Sequence, residues 1–233
     1  MRSRLQAKGA RVDRLRVIPN WVDTIALSPS PVEKENQWSR EHDLDDRFVV
    51  MHSGNIGHAQ NLDALIRAGT YMRDLDRLAI VLIGGGARRD ELVELAERLE
   101  VDAVRFMPYQ PRELLSQSLS SADIHVVGLA HGLSGYVVPS RLYGIMSVGC
   151  PVIVAADPDS ETANVVEAAG CGIVVPPNDP PALARAIRSA YTRELPLDEM
   201  GRRAREYVVH EGDRRVAVER YRLLLRELVE GAA

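Results

Sequence analysis

From Phe48 onward the chain alternates between short apolar runs rich in β-branched residues and longer stretches in which apolar residues recur every three or four positions. The runs fall at 48 to 51, 79 to 83, 103 to 107, 122 to 127, 151 to 155 and 172 to 175. Each is short enough to be a strand and continuous enough to be buried on both faces, as strands of a parallel sheet are. Between them Leu62, Leu65, Ile66 and Met72, then Leu92, Leu95, Ala96 and Leu99, then Leu114, Leu115 and Leu119 repeat with helical spacing. Each such stripe gives a helix one face to lay on the sheet. The alternation predicts βαβ units: an α/β fold built on a doubly wound, parallel, six-stranded, Rossmann-like sheet.

Beyond the last run, Leu183, Ala186, Ile187 and Ala190 continue the helical pattern and Pro196 interrupts it. Tyr221, Leu224, Leu225 and Leu228 then mark a final amphipathic helix outside the sheet. Residues 1–46 read differently, with a charged lead, the segment Val17-Ile18-Pro19-Asn20-Trp21-Val22-Asp23, and a polar stretch containing Pro29 and Pro31. The expected organisation is a connector over 1–46, the α/β domain over 47–195 and carboxyl-terminal helices over 196–233.

Composition narrows the function classes. With 233 residues the chain can bury a sizeable core, and 45% hydrophobic with 27% charged residues is ordinary for a globular protein. A net charge of -4, 5% aromatic residues and no recognisable motif argue against nucleic-acid binding. The first sixteen residues carry six basic side chains against Asp13 alone, which reads as a solvated lead. Cys150 and Cys171 sit beside strand-like runs without the nearby Cys or His of a zinc site, so both are expected as buried thiols. The opening residues lack a signal-peptide core, and no apolar run nears the roughly 18 residues of a membrane span. The cytoplasm is the expected compartment, with at most a peripheral place at the inner face of the plasma membrane.

Candidate chemistry gathers where strands would end. In Val138-Pro139-Ser140-Arg141, proline favours an extended residue before it, Ser140 is placed to cap a helix, and the free N–H groups of that helix suit an anion. Arg141 in its first turn suits a diphosphate or, equally, a surface acid. Gly149 and Pro151 then turn the helix into a strand. Ser53-Gly54-Asn55-Ile56-Gly57 follows the first strand and reads either as a phosphate-approaching loop or as a tight βα turn. Gly84-Gly85-Gly86 lacks the spacing of a dinucleotide fingerprint, which sets nicotinamide chemistry aside. Tyr109 and Gln110 stand at a strand exit between Pro108 and Pro111, where a ring could take a base or cap the core. Gly128 to Tyr136 is a glycine-rich segment suited to covering a ligand, and His131 is the histidine it contains. Asp157, Asp159, Glu161 and Glu167 read as charges around a helix start. No Ser-His-Asp, paired-carboxylate or metal-ligand spacing stands out.

In order and spacing these motifs resemble the carboxyl-terminal half of GT-B retaining glycosyltransferases of family 4, the glycosyl transferases group 1, in the branch that builds polysaccharide and lipopolysaccharide. The resemblance is carried by Ile18-Pro19-Asn20-Trp21-Val22-Asp23, similar to the family's interdomain PNGVD element. It is also carried by Ser53 to Gly57, Gly84 to Gly86, Val138 to Tyr143 and Gly149-Cys150-Pro151-Val152. It implies that the donor's diphosphate and sugar meet Gly54, Asn55, Gly57, His131, Ser134, Gly135, Ser140 and Arg141, and the base Tyr109 and Gln110. The family's E-x7-E pair, whose second member holds the ribose, falls on Tyr136 and Gly144, so neither glutamate is present. Residues before 17 stand where the family has a whole acceptor domain.

The resemblance implies a hexosyltransferase-type enzyme that moves a sugar, with retention, from a nucleoside-diphosphate sugar to a glycan or lipid-linked acceptor. The donor is a substrate, and neither a cofactor nor an obligatory metal is expected. Acting alone the chain is expected to be inactive, the acceptor half coming from elsewhere, for instance from a separate acceptor-domain protein. A non-catalytic nucleotide-sugar binding module is the alternative, and nucleotide-sugar epimerisation ranks well below both.

Overall fold

The computed structural model describes residues 2–30 and 33–230. Six parallel strands form one sheet in the order β3-β2-β1-β4-β5-β6. They are β1 (Phe48–Ser53), β2 (Leu78–Ile83), β3 (Val104–Met107), β4 (Ile124–Gly128), β5 (Val152–Ala155) and β6 (Gly172–Val175). The helices are α1 (Arg2–Ala7), α2 (Gln37–Glu41), α3 (Asp63–Gly69), α4 (Arg89–Arg98), α5 (Leu115–Ser120), α6 (Arg141–Ser147), α7 (Glu161–Ala169), α8 (Pro180–Tyr191), α9 (Leu197–Glu211) and α10 (Arg214–Glu230).

The period of two along each strand divides the core between the two faces. Val50, Ile80, Leu82, Ile124, Val126, Ile153 and Ala155 point to one side, where they meet Leu65, Ile66, Leu92, Leu183 and Ile187 of α3, α4 and α8. Val127, Val152 and Val154 point to the other side and meet Leu142, Ile145, Val166 and Val208 of α6, α7 and α9. On that side the other half of the sheet, Val49, Met51, Val81 and Ile83, packs under Trp38 and Leu44. Burial on both faces is why the strands are continuous apolar runs rather than alternating ones.

Every expected strand is present. The helix expected to reach Met72 ends at Gly69, and Met72 is buried in the turn that follows. The Leu114 stripe divides into a 3-10 turn at Arg112–Leu114 and the short α5. Pro196 separates α8 from α9. The connector is woven into the domain: Val22 accepts from Arg214 N–H at 2.8 Å and donates to Gly212 O at 2.9 Å. The Thr24 hydroxyl donates to the buried Asp213 carboxylate. Trp38 and Leu44, placed in the connector by sequence, are fully packed under the sheet. The expected Pro31 lies outside the described residues. Cys150 and Cys171 are buried, and the Cys150 thiol donates to Leu119 O at 3.4 Å. Along α10, Val218, Tyr221, Leu225, Leu228 and Val229 are exposed. Among the described residues no helix is long and apolar enough to cross a membrane.

Candidate functional site

The strand order reverses direction between β1 and β4: β2 and β3 are added on one side, β5 and β6 on the other. The loops after β1 and β4 therefore part to opposite faces and leave a crevice at the carboxyl ends of the strands, the place where open α/β sheets take ligands.

The loop after β1 is fixed by its neighbour. Gly54 N–H donates to Ile83 O and Ile56 N–H to Gly85 O, both at 2.9 Å, and Arg88 N–H donates to Ile56 O at 3.1 Å. At Gly84, φ is +139° and a Cβ would sit 2.0 Å from the Gly54 carbonyl oxygen, so only glycine lets the two loops touch. The three contiguous glycines thus serve as a wall behind the Ser53 to Gly57 loop. Gly57 has an extended φ of -123°, and its N–H is spent on the Gln60 side chain at 3.0 Å. Asn55 also donates to Gln60 Oε1, at 3.3 Å. The loop enters a 3-10 turn, His58–Gln60, instead of running directly into a helix. The tight-turn reading therefore describes Gly57, while Gly54 faces the crevice.

Arg141 crosses that crevice. Its guanidinium carbon lies 3.5 Å from where a Gly54 Cβ would be, and its Nη1 lies 2.7 Å from Nε2 and 3.1 Å from Nδ1 of His52. His52 is completely buried at the end of β1, with Nε2 3.3 Å from the Asn55 carbonyl oxygen. Burial, reinforced by the Arg141 charge, pushes His52 down to about 3, so it is neutral near neutral pH. Burial likewise lowers Arg141 to about 10, which leaves it cationic. Ser140 occupies the N-cap position of α6 but has helical backbone angles and makes no side-chain capping bond, contrary to the capping role expected for it. Its side chain competes with no local N–H and is exposed.

Tyr109 lays its ring over Gly85, donates its hydroxyl to Gly85 O at 3.1 Å, and remains 60% exposed. Gln110 faces elsewhere: its Oε1 accepts from Trp38 Nε1 at 2.8 Å and its Nε2 donates to Pro108 O at 3.0 Å. The loop after β4 is tied to the β1 side by Ala130 N–H donating to Ala59 O at 2.9 Å. Asp157 holds the tip. Its carboxylate receives His131 Nδ1 at 2.6 Å, Gly132 N–H at 2.9 Å and the Ser134 hydroxyl at 3.3 Å. These bonds, the Gly132 N–H foremost, hold its pKa below the ordinary carboxylate range. Asp157 is therefore a loop anchor, where the sequence suggested a charge beside a helix start. Gly135 lies in the same loop with φ of +76°, and Tyr136 is exposed beside it. Gly144 is on the far side of α6, where a Cβ would lie 3.4 Å from Leu27 of the connector.

The structure thus gathers Gly54, Arg141 and Tyr109, with Asn55 beside them, and links His131, Gly132 and Ser134 through Asp157. It directs the Gln110 amide and the Gly144 position away. Sequence reasoning passed over His52 and misread Asp157. A polar residue at the end of the apolar run Phe48 to Met51 was the available signal for His52. A cleft of about 720 Å³ opens elsewhere, lined by Lys34, Asp123, Arg193 and Arg205. Lys34 pairs there with Asp123, to which Arg193 also comes within 3.9 Å, and Arg205 donates to the carbonyls of Ser147 and Thr24. The crevice at the β1/β4 junction is the better-equipped site.

The family model for glycosyl transferases group 1 matches residues 34–207, and the chain belongs to that family. It is 28% identical over 202 residues to WcaI of Escherichia coli (strain K12), which carries the name of a colanic acid biosynthesis glycosyl transferase. That match covers 86% of this chain and 48% of WcaI. WbjE of Pseudomonas aeruginosa, named as a glycosyltransferase, is 26% identical over 212 residues, 91% of this chain and 52% of its own length. The crystal structure of Anabaena Alr3699/HepE in complex with UDP superposes with a TM-score of 0.81 at 19% identity, over 98% of this chain and 61% of that one. The chain spans about half the length of the curated relatives it matches. Its α/β unit is the Rossmann-like half of a GT-B fold.

Proposed function

We propose that this member of the glycosyl transferases group 1 family binds a nucleoside-diphosphate sugar at the β1/β4 crevice. There it serves as the donor-binding half of a retaining, hexosyltransferase-type glycosyltransferase. The observation that carries this reading is the Arg141 guanidinium, held beside Gly54 by a neutral His52 where the strand order reverses. A part-buried cation on a glycine loop is suited to the diphosphate, whose negative charge grows as the glycosidic bond breaks. The base would rest on the exposed face of Tyr109, with Asn55, His131 and Ser134 toward the sugar. The complex with UDP described for Alr3699/HepE makes uracil the first base to test.

A glycan or lipid-linked hydroxyl in polysaccharide synthesis is the proposed acceptor, at a cytoplasmic site. Its binding groups would come from the portion of the relatives that this chain does not span, or from a separate acceptor-domain protein. One observation favours a non-catalytic binding module as the second reading: Tyr136 and Gly144 stand where the two family glutamates are expected, and Gly144 faces Leu27.

Calorimetric titration of the folded chain with UDP, GDP and their sugar conjugates tests the proposal. Saturable binding that prefers one base supports it. Absence of binding to all of them overturns the donor-site assignment. Sugar transfer on adding an acceptor half would separate the enzyme from the module.

A further inference from the structure

Resting on the donor-site reading above, we propose that Asp157 is a positioning residue that fixes the tautomer of His131 and thereby selects which imidazole nitrogen meets the donor sugar. The Asp157 carboxylate receives the three contacts already described, from His131 Nδ1, Gly132 N–H and Ser134 Oγ. An ionised carboxylate only accepts hydrogen bonds, so Nδ1 carries the hydrogen, and in the neutral ring Nε2 is left as an acceptor. The Asp157 side chain is 14% exposed and that of His131 is 75% exposed, so the anchor is sheltered while the imidazole is presented.

The neighbouring bonds make the presentation rigid. Gly132 adopts φ of +79°, and its N–H occupies the second carboxylate oxygen, so the carboxylate cannot turn away from the ring without losing a backbone partner. Leu129 N–H donates to Ala155 O and Ala130 N–H to Ala59 O, both at 2.9 Å, which pins the loop's root between β5 and the turn that follows the Gly54 loop. His131 is thereby held on the β4 side of the same crevice that Arg141 enters. Nε2 as an acceptor matches a sugar hydroxyl, which donates, and does not match a phosphate oxygen. The device thus distinguishes a nucleoside-diphosphate sugar from the bare diphosphate.

The test compares the native chain with Asp157→Asn, Asp157→Glu and His131→Ala. Nitrogen-15 spectra of the imidazole groups report the tautomer, and calorimetry reports affinities for UDP and UDP-glucose. The Nδ1–H tautomer is expected in the native chain, and Asp157→Asn, whose amide can donate to Nδ1, should shift His131 toward Nε2–H. Asp157→Asn and His131→Ala should weaken UDP-glucose by about tenfold, the scale of one hydrogen bond, and leave UDP within about twofold. Asp157→Glu should restore part of the difference. An unchanged tautomer in Asp157→Asn, or equal losses for UDP and UDP-glucose, overturns the proposal. A native chain that binds neither nucleotide refutes the donor-site reading, while the tautomer comparison still decides whether Asp157 sets the ring.

Discussion

The guanidinium of Arg141 rests against the imidazole of His52, with Nη1 2.7 Å from Nε2, although a protonated ring there would repel it. The contact is stable because the ring sits in a fully buried strand end and stays neutral. It places the cation by a partner that does not cancel its charge, as a carboxylate would. That leaves the positive charge available to a ligand.

Replacing Arg141 with alanine should therefore weaken nucleoside-diphosphate binding by about 1 to 3 kcal/mol, the range for losing a charge-assisted hydrogen bond. Titration calorimetry checks this. An unchanged affinity removes Arg141 from the site.

Acid should destabilise the protein before its carboxylates titrate. His52 and His125 fall from 6.5 to about 3 and about 4 on folding, both chiefly through burial. The unfolded chain then binds more protons than the folded one between those values, so stability is full above the unfolded value and is lost as pH falls below it. At pH 5 each histidine should remove about 2 kcal/mol. Urea midpoints measured from pH 7.5 to pH 4.5 should fall, and His125→Gln should flatten the slope if it folds. Equal midpoints across that range would contradict the neutral, buried state of both rings.

Gly84→Ala should cost more than about 2 kcal/mol, because φ of +139° and the Gly54 carbonyl oxygen at 2.0 Å from the new Cβ must both yield. Denaturant unfolding measures the loss. Nucleotide affinity of whatever remains folded should also drop, since Gly54 is displaced beside Arg141.

Leu225→Ser should change unfolding free energy by less than about 0.5 kcal/mol, because Leu225 is 62% exposed on α10. A loss of several times that amount would show the outer face of α10 to be covered in solution.

The sheet, its six strands and the main helices were legible because burial on both faces makes each strand an unbroken apolar run. Glycines and Arg141 were expected at the carboxyl ends of the strands, and they lie there. Their individual jobs were not legible, since they depend on contacts between residues far apart in sequence. Gly84 is needed for its approach to Gly54, Gln110 is claimed by Trp38, and Asp157 reaches back 25 residues to the N–H of Gly132. Local pattern also hid Trp38, in a helix of too few turns to announce a core role, and Leu44, in the turn that follows it. Ser140 matched a cap signal, yet its backbone already lies in the helical region, so the hydroxyl has no capping geometry.

The indole of Trp38 is 2% exposed and donates to Gln110, one residue from the tyrosine proposed to carry the base, whereas Trp21, the other tryptophan, is 49% exposed. The molecule therefore contains its own optical reporter: blue-shifted emission from Trp38 over a red-shifted background from Trp21. A Trp21→Phe variant would leave a single buried fluorophore wired to the exit of β3. With it, stopped-flow traces could time the arrival of a nucleotide without any attached dye.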